Sequence, residues 1–185
     1  MNLGRMIVYG AAYAAGAYVV DVPVRRALAA RAARLHANRR GLPLLNVGAG
    51  TAKTSILGAS TYGDVNVDLS GRRDVPHGTP GCVTYSDACN LSDFPDGCFG
   101  AVLASHVLEH LPDPWRALRE WSRVVGGDRE GIFVVTPMWW DPVAWLHPGH
   151  LWYWHDGCGG LNGAPARRLR RGMSESMRRF TTLRG

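Results

Sequence analysis

The residues best suited to chemistry follow the first apolar run of this 185-residue chain. The run at 44–47 stops at Gly48-Ala49-Gly50, and a second run at 65–67 ends on Asp68, eighteen residues after Gly50. Glycine allows positive φ and a close approach of a ligand to the backbone, because it has no Cβ. A glycine turn after one strand and a carboxylate at the end of the next are typical of a nucleoside site, where the carboxylate binds the ribose hydroxyls.

The same turn lacks the features of a phosphate-binding loop. Ala52 stands where a third glycine would be, and Lys53 is not preceded by the glycine spacing of a Walker motif. The glycine pair by itself also fits an ordinary turn between a strand and a helix. The acid that ends the second run is what favours a nucleoside site over that simpler interpretation.

Two more polar sites follow apolar runs later in the chain. Asp87 comes after the run at 83–85, and Ser105-His106 come directly after the run at 99–104. Strands that alternate with helical stretches predict an α/β fold, a Rossmann-like, doubly wound and mostly parallel sheet with flanking helices. Ligands of such sheets lie at the carboxyl ends of the strands, where we expect these three sites to converge.

One helix of this sheet has clear end signals. Asp113 is a good N-cap and Pro114 a good first residue, while Gly126-Gly127 ends the helix before a fifth strand at 132–136. The apolar spacing predicts an inner face formed by Trp115, Leu118, Ser122 and Val125.

Composition indicates a globular chain, with 46% hydrophobic and 19% charged residues. The four cysteines form no CxxC pair and follow no secretory leader, so we predict reduced thiols and a cytoplasmic protein. A zinc site built from three of them stays open as an alternative, although the spacings fit no common zinc module. These three are Cys82, Cys89 and Cys98.

The net charge of +6 is unevenly distributed. Residues 1–40 carry +6, residues 41–155 carry −5 and residues 156–185 carry +5. We therefore divide the chain into a basic helical leader (1–40), a central domain (41–155) and a Gly/Arg-rich tail (156–185). The two basic arms fit an anionic surface, either a membrane or a nucleic acid, and equally fit two solvated termini.

The leader has an uncharged run at 6–20 followed by a basic amphipathic helix at 24–40. The uncharged run is short for a membrane span and lacks a convincing signal-peptide cleavage site. The basic helix either packs across the edge of the domain or attaches the protein to the surface of a membrane. Packing is the outcome we expect.

Four segments together carry a family resemblance: LLNVGAGT, VNVDLS, SDACNLSDFPDGCFGAVLASHVLEHLPDPWRALREWSRVV and GGDREGIFVVTP. Over about residues 42–140 the chain resembles the class I S-adenosylmethionine-dependent methyltransferases of the type 11 branch, and SHVLEHLPDPWRAL is the most specific part. The resemblance implies S-adenosyl-L-methionine as cofactor and methyl transfer to an acceptor that the sequence does not identify.

The resemblance also implies roles for particular residues. Gly48, Ala49 and Gly50 would lie beside the methionine part of the cofactor, and Asp68 would bind the ribose. Asp87 with Ala88 would face the adenine, and Ser105 with His106 would line the methyl-transfer pocket. His106 and His110 are the candidate catalytic bases for an acceptor that must lose a proton. The full set of predicted cofactor-binding residues is Asn46, Gly48, Ala49, Gly50, Asp68, Leu69, Asp87, Ala88 and Ser105.

The chain departs from the family pattern in several places. Asn46 replaces the usual acid of the first motif, and Gly100 replaces the acid that usually follows the aromatic residue of the fourth strand. The helix after Gly50, at 53–60, is short, and the composition after residue 154 predicts that the usual C-terminal strand pair is missing. Asn46, the short helix and the missing strand pair favour an alternative, a catalytically inactive binding or scaffold module on the same fold. A nicotinamide dehydrogenase is a third hypothesis.

The segment His106 to His110 also spells HxxEH, the inverted zinc-protease pattern. That chemistry needs both histidines one turn apart on a continuous helix, and the prolines that follow argue against one. Some methyltransferases that act on RNA ribose or quinol hydroxyls have a similar metal site here, which makes Glu109 and His110 weak metal candidates with His147, His150 or His155. We expect instead that Glu109 and His110 fix the loop through hydrogen bonds.

Aromatic residues crowd the segment at 138–155, which contains five of the seven tryptophans and three histidines. Three interpretations remain open for it: a roof over the acceptor site, contact with a membrane interface, or packing over the edge of the sheet.

Overall fold

The fold was analysed in a computed structural model, which describes residues 23–50, 62–137, 147–154, 166–171 and 178–182. From residue 153 onward only the backbone of the strands is described. Several predictions lie outside the described residues: the uncharged run at 6–20, the short helix at 53–60, the aromatic residues at 138–146, His155 and most of the tail.

Five parallel strands form the main sheet, in the order β3-β2-β1-β4-β5. The α/β prediction is therefore confirmed. β1 lies at the centre, with Asn46 opposite Asn66 of β2 on one side and Leu103 of β4 on the other. The five strands are β1 (Leu44–Val47), β2 (Val65–Asp68), β3 (Thr84–Tyr85), β4 (Ala101–Ser105) and β5 (Ile132–Val135).

Two helices cover opposite faces of the sheet. Residues 23–40 form α1, and Pro114–Val124 form α2. As predicted, Asp113 caps α2, since its Oδ1 accepts a hydrogen bond from the Arg116 amide at 3.0 Å. Single 3₁₀ turns lie at Leu108–His110 and Arg129–Gly131.

The predicted inner face of α2 is wrong by one position. The helix buries Pro114, Ala117, Trp121 and Val124, whereas Trp115, Leu118 and Ser122 are only half-buried. Trp121 determines the rotation, because its side chain is fully buried and its Nε1–H donates to the Ala88 carbonyl at 3.0 Å. Val125, also predicted to face inward, is fully buried just after the helix ends.

α1 packs against the sheet through small side chains. Ala30, Ala33 and Ala37 are buried and share a cluster with Leu44 of β1 and two residues of β4. Because alanine keeps the helix close to the sheet, the backbone of α1 approaches the chain just before β4. A Cβ on Gly100 would lie 2.7 Å from Cα of Ala37 and 2.9 Å from its carbonyl oxygen. This contact explains why no larger residue occupies position 100.

Most arginines of α1 bind groups inside the domain. The Arg25 guanidinium donates to the Thr136 carbonyl at 2.8 Å, and Arg26 donates to Oγ of Ser105 at 3.0 Å. Arg34 pairs with Asp64, and Arg40 donates to the Val125 carbonyl at 2.8 Å. Over residues 23–40, then, the leader is a packing helix of the domain.

A separate antiparallel sheet follows in the chain. It contains β6 (Trp152–Trp154), β7 (Ala166–Arg171) and β8 (Arg178–Thr182), in that order. Among the described residues, no antiparallel strand joins the five-stranded sheet. The predicted lack of a C-terminal strand pair stays a prediction, because residues 138–146, 155–165 and 172–177 lie outside the described part of the chain. None of the helices that the structure describes has the length and apolar character needed to cross a bilayer.

Candidate functional site

The glycine turn after β1 is tied to the end of β2. Gly48 and Gly50 have φ of 66° and 68°, which only glycine adopts without strain. The Ala49 amide donates to the Val67 carbonyl at 3.0 Å, and the Gly50 amide donates to Oδ2 of Asp68 at 2.9 Å. The first and second strands thus deliver the predicted turn and the predicted acid to one place.

The absence of a Cβ at position 48 also makes room for the segment after β4. A Cβ there would lie 2.1 Å from Cγ2 of Val107, which is far too close for two carbon atoms that are not bonded to each other. The turn and the 106–110 segment therefore lie in direct contact. The structure brings together the residues predicted to face the methionine part and those predicted to line the transfer pocket.

Asp68 lies at the carboxyl edge of the sheet and is half-buried. Its Oδ1 accepts a hydrogen bond from the Ser70 amide at 2.8 Å, while Oδ2 accepts the bond from Gly50. The Ser70 hydroxyl donates a further hydrogen bond to Oδ1. Because an ionised carboxylate has about four acceptor positions, Asp68 keeps the capacity to accept one more hydrogen bond, and a ligand hydroxyl that replaced the Ser70 hydroxyl would make a second. Leu69 beside it is 62% exposed, so it offers an apolar surface next to the carboxylate.

Asp87 and Ala88 follow β3 at the same edge. Oδ1 of Asp87 accepts a hydrogen bond from the Cys89 amide at 2.8 Å, which fixes the carboxylate in a turn. Ala88 is buried and its carbonyl is held by Trp121 of α2. The packing of α2 therefore positions the loop that we predicted to face the adenine.

Ser105 is the last residue of β4, and its hydroxyl is bound by Arg26. Sequence reasoning missed this contact, because it expected the basic helix to pack but predicted no partners in the domain for its arginines. The signal that could have found it is the alanine stripe at 30, 33 and 37, which marks a helix face that packs closely. A helix packed that way must bring Arg25 and Arg26 to the carboxyl ends of β4 and β5.

His106 has a backbone conformation that residues other than glycine seldom adopt. Its φ is 58°, and its amide donates to the Val135 carbonyl at 2.7 Å. Nδ1 lies 3.1 Å from Oε1 of Glu109, within ion-pair distance. Nε2 is buried and has no hydrogen-bond partner among the described residues. Strained backbone and an unpartnered buried polar atom are both typical of functional sites.

Glu109 is 1% exposed, and within the described part of the chain neither of its carboxylate oxygens has a well-aligned hydrogen-bond donor. Its backbone carbonyl accepts a hydrogen bond from the Leu151 amide at 2.7 Å, and Nδ1 of His110 lies 3.0 Å from the Gly149 carbonyl. Loop fixation, our expectation for these two residues, therefore operates through the backbone of Glu109 and the side chain of His110.

The zinc-protease interpretation of HxxEH is not supported. Leu108–His110 form only a single 3₁₀ turn, which ends at Leu111 in extended backbone. A protease of that kind places both histidines on one continuous helix. Here His106 precedes the turn and contacts Glu109, while His110 is bound to the loop at 147–150.

Asn46 is 3% exposed in the centre of the sheet. Its Nδ2 donates to Oδ1 of Asn66 at 3.1 Å, and Asn66 is itself fixed by two hydrogen bonds to Gly63. An acid at position 46 would meet an acceptor oxygen here. Asparagine at position 46, in place of the usual acid, therefore fits the hydrogen bond that it makes to Asn66 between β1 and β2.

The cysteines do not form a metal cluster within the described residues. Burial raises the pKa of the Cys89 thiol, and the charges of Asp87 and Asp113 raise it further. Burial also raises the pKa of Cys98. A metal binds the thiolate, so these environments disfavour the zinc site that the cysteines suggested.

A comparison with protein families identifies the central segment, while no curated protein matches the chain. The matching family is described as "Methyltransferase domain", and the match covers residues 45–135. This range runs from β1 to the end of β5 and contains every residue of the site described above except those of α1 and of the 147–150 loop. Residues 45–135 therefore form a type 11 methyltransferase domain, the domain of class I S-adenosylmethionine-dependent methyltransferases.

Proposed function

We propose that this protein binds S-adenosyl-L-methionine at the carboxyl edge of the sheet and transfers its methyl group to an acceptor. The observation that carries the proposal is the joining of the glycine turn to Asp68 by the Gly50 hydrogen bond. It supports a nucleoside site because the glycine turn and the carboxylate meet at the carboxyl edge of the sheet, where such ligands bind, and because the carboxylate keeps an acceptor position.

The remaining residues of the edge fit the same cofactor. β3, which precedes Asp87, lies next to β2, which ends at Asp68, on the side away from β1. A cofactor whose ribose binds Asp68 could therefore place its adenine near Asp87. Two buried polar atoms, Oγ of Ser86 and Nε2 of His106, have no partner among the described residues; the cofactor would satisfy the first, and a polar acceptor the second. Asn46, Leu69, Ala88 and Ser105 complete the proposed binding set.

When bound, the cofactor would supply a methyl group activated by its sulfonium sulfur, so that an acceptor atom could attack the methyl carbon in line while the carbon–sulfur bond breaks and S-adenosylhomocysteine leaves. The work of the chain is to hold the acceptor against that methyl group and to exclude water. For acceptors that lose a proton, we assign the general base to Nε2 of His106. Glu109, beside Nδ1, would keep the proton on that nitrogen and leave Nε2 free to accept one.

Transfer of a labelled methyl group tests the activity. Incubation with methyl-labelled cofactor and fractions of metabolites, lipids, RNA and protein should label one fraction. His106→Ala should reduce that labelling at least tenfold, because a positioned base contributes about 10²–10⁴-fold. His77→Ala, a histidine that contacts Thr84 and Phe94 instead, should leave it unchanged.

A second candidate function is a scaffold module that binds the cofactor without turnover. The Asn46–Asn66 pair favours it, since an amide there removes the family's usual acid. The same labelling experiment distinguishes the two functions. Cofactor binding with no labelled product in any fraction would establish the scaffold and contradict the enzyme.

We propose a cytoplasmic location without stable attachment to a membrane. Arg31 and Arg39 are exposed on α1, whereas four other arginines bind groups of the domain. The two exposed arginines of α1 supply only about 2 kcal/mol near an anionic surface, so this helix by itself is a weak anchor. The protein should therefore stay in the lower fraction when anionic vesicles are floated at 0.1 M salt. Flotation with anionic vesicles but not neutral ones would contradict this proposal.

A further inference from the structure

Three histidines from two separate segments meet beside the candidate site. His110 ends the 3₁₀ turn after β4, and His147 and His150 lie on the loop before β6. Each offers one ring nitrogen, and these nitrogens all lie within 4.8 Å of one another. The three ring centroids are separated by 4.5 to 5.4 Å. Because imidazole is the commonest metal ligand, such a cluster has the chemistry of a transition-metal site.

The two segments are held together by hydrogen bonds that do not involve these rings. The Leu151 amide donates to the Glu109 carbonyl at 2.7 Å, and Nε1 of Trp152 donates to the Leu111 carbonyl at 2.8 Å. Trp152 is 3% exposed and belongs to the main core. The backbone on both sides of the cluster is therefore positioned before any ligand binds, which lowers the entropic cost of binding one.

The hydrogen bonds of His110 and His147 show how the nitrogens of these two rings are used. Nδ1 of His110 donates to the Gly149 carbonyl, which leaves the lone pair on Nε2. A bond of this type orients a metal-binding histidine and fixes its tautomer. Nδ1 of His147 accepts from the Gly149 amide at 3.1 Å, so His147 must exchange this hydrogen bond for the metal.

We propose that His110, His147 and His150 bind one Zn²⁺ ion, with water in the fourth position. Three imidazoles and one open position are a known zinc coordination. Tetrahedral zinc with bonds of about 2.0–2.1 Å needs nitrogens about 3.4 Å apart, so the rings must draw together by about 1 Å. His147 is on the exposed part of the loop and can make this movement, whereas His150 is 5% exposed.

Glu109 is not a ligand in this arrangement. Its carboxylate lies beside His106, and His106 is not part of the cluster of three. The zinc would instead clamp the loop at 147–150 onto the turn at 108–110, next to the proposed transfer pocket. The site is independent of the proposed cofactor, so either can fail without the other.

Metal titration of the full chain, purified without a histidine tag, tests the proposal. Dialysis against Zn²⁺ followed by elemental analysis should give one zinc per chain. Co²⁺ should give the intense visible absorption of a four-coordinate site. Zn²⁺ at 100 times its dissociation constant should raise the Tm by about 5–10 °C, because it binds only the folded state.

Two variants and a control complete the test. His147→Gln and His110→Gln should each weaken Zn²⁺ binding at least tenfold and abolish the zinc-dependent rise in Tm. His77→Gln should bind zinc like the unmodified protein. The Tm of each variant in chelator, compared with that of the metal-free parent, shows that the variant still folds. Absence of zinc binding in the parent, or unchanged binding in both cluster variants, would overturn the proposal.

Discussion

Replacement of Asp68 by asparagine is expected to weaken the binding of S-adenosylhomocysteine about 10- to 100-fold. In the proposed complex the carboxylate accepts hydrogen bonds from the ribose, and hydrogen bonds to a charged group contribute about 1.5–3 kcal/mol. Asparagine keeps the size of the side chain and one acceptor oxygen for the Gly50 amide, although its amide nitrogen no longer accepts the hydrogen bonds of Ser70. The loss of affinity would therefore result mainly from the missing negative charge and less from a collapse of the turn. Isothermal titration calorimetry measures it.

Asp64→Asn is the matched control for this prediction. Asp64 immediately precedes β2, whereas Asp68 is its last residue, and its carboxylate binds Arg34 and the Leu44 amide. The two acids thus lie on opposite edges of the sheet. Asp64→Asn should lower stability and leave affinity unchanged. If the two variants lost the same affinity, or if Asp68→Asn lost none, the ribose-binding role of Asp68 would be wrong.

The second large effect is expected at Gly100. Gly100→Ala should destabilise the fold by about 1–3 kcal/mol, as overpacking typically does, because its Cβ would overlap the backbone of Ala37. Backbone atoms cannot move aside as the end of a side chain can, so α1 must shift away from β4. Arg26 would then lose its hydrogen bond to Ser105. Urea unfolding monitored by tryptophan fluorescence measures the loss of stability.

Gly127→Ala is the comparison for Gly100→Ala. A Cβ at position 127 meets no atom within 4 Å, and the cost there comes only from its φ of 81°. That cost is about 1 kcal/mol. The variant at position 100 should be the less stable of the two and should also lose methyl-transfer activity. Equal stability of the two variants would show that α1 does not pack as tightly as described.

The strands of the main sheet were predictable because each is a short apolar run followed by a polar residue or glycine. All five were found within about two residues, and Asp113 was identified as the cap of α2. These features depend on local sequence alone. The acids at 68 and 87 followed from the fold, since parallel strands end at one edge.

The side chains that face each other across the fold were not predictable. The rotation of α2 depends on the hydrogen bond from Trp121 to Ala88, a residue far away in sequence. The partners of the arginines in α1 are likewise distant, so a basic helix that packs and one that binds a surface have the same pattern. Asn46 looked like a defect of the family motif until Asn66 was seen opposite it.

The cluster of histidines was predictable in part. The resemblance to methyltransferases with a metal site at this place suggested His147, His150 or His155 as further ligands beside His110. It did not separate His106 and Glu109 from that group. The separation results from the positive φ of His106 and from the hydrogen bond between His110 and Gly149, neither of which has a sequence signal.

Calorimetric titration with S-adenosylhomocysteine, beside a parallel titration with NADH, tests the central claim most directly. We predict saturable binding of one S-adenosylhomocysteine per chain and no binding of NADH at the same concentrations. Folded protein that gives no heat and no thermal shift with S-adenosylhomocysteine, or that binds NADH more tightly, would contradict the assignment of the cofactor.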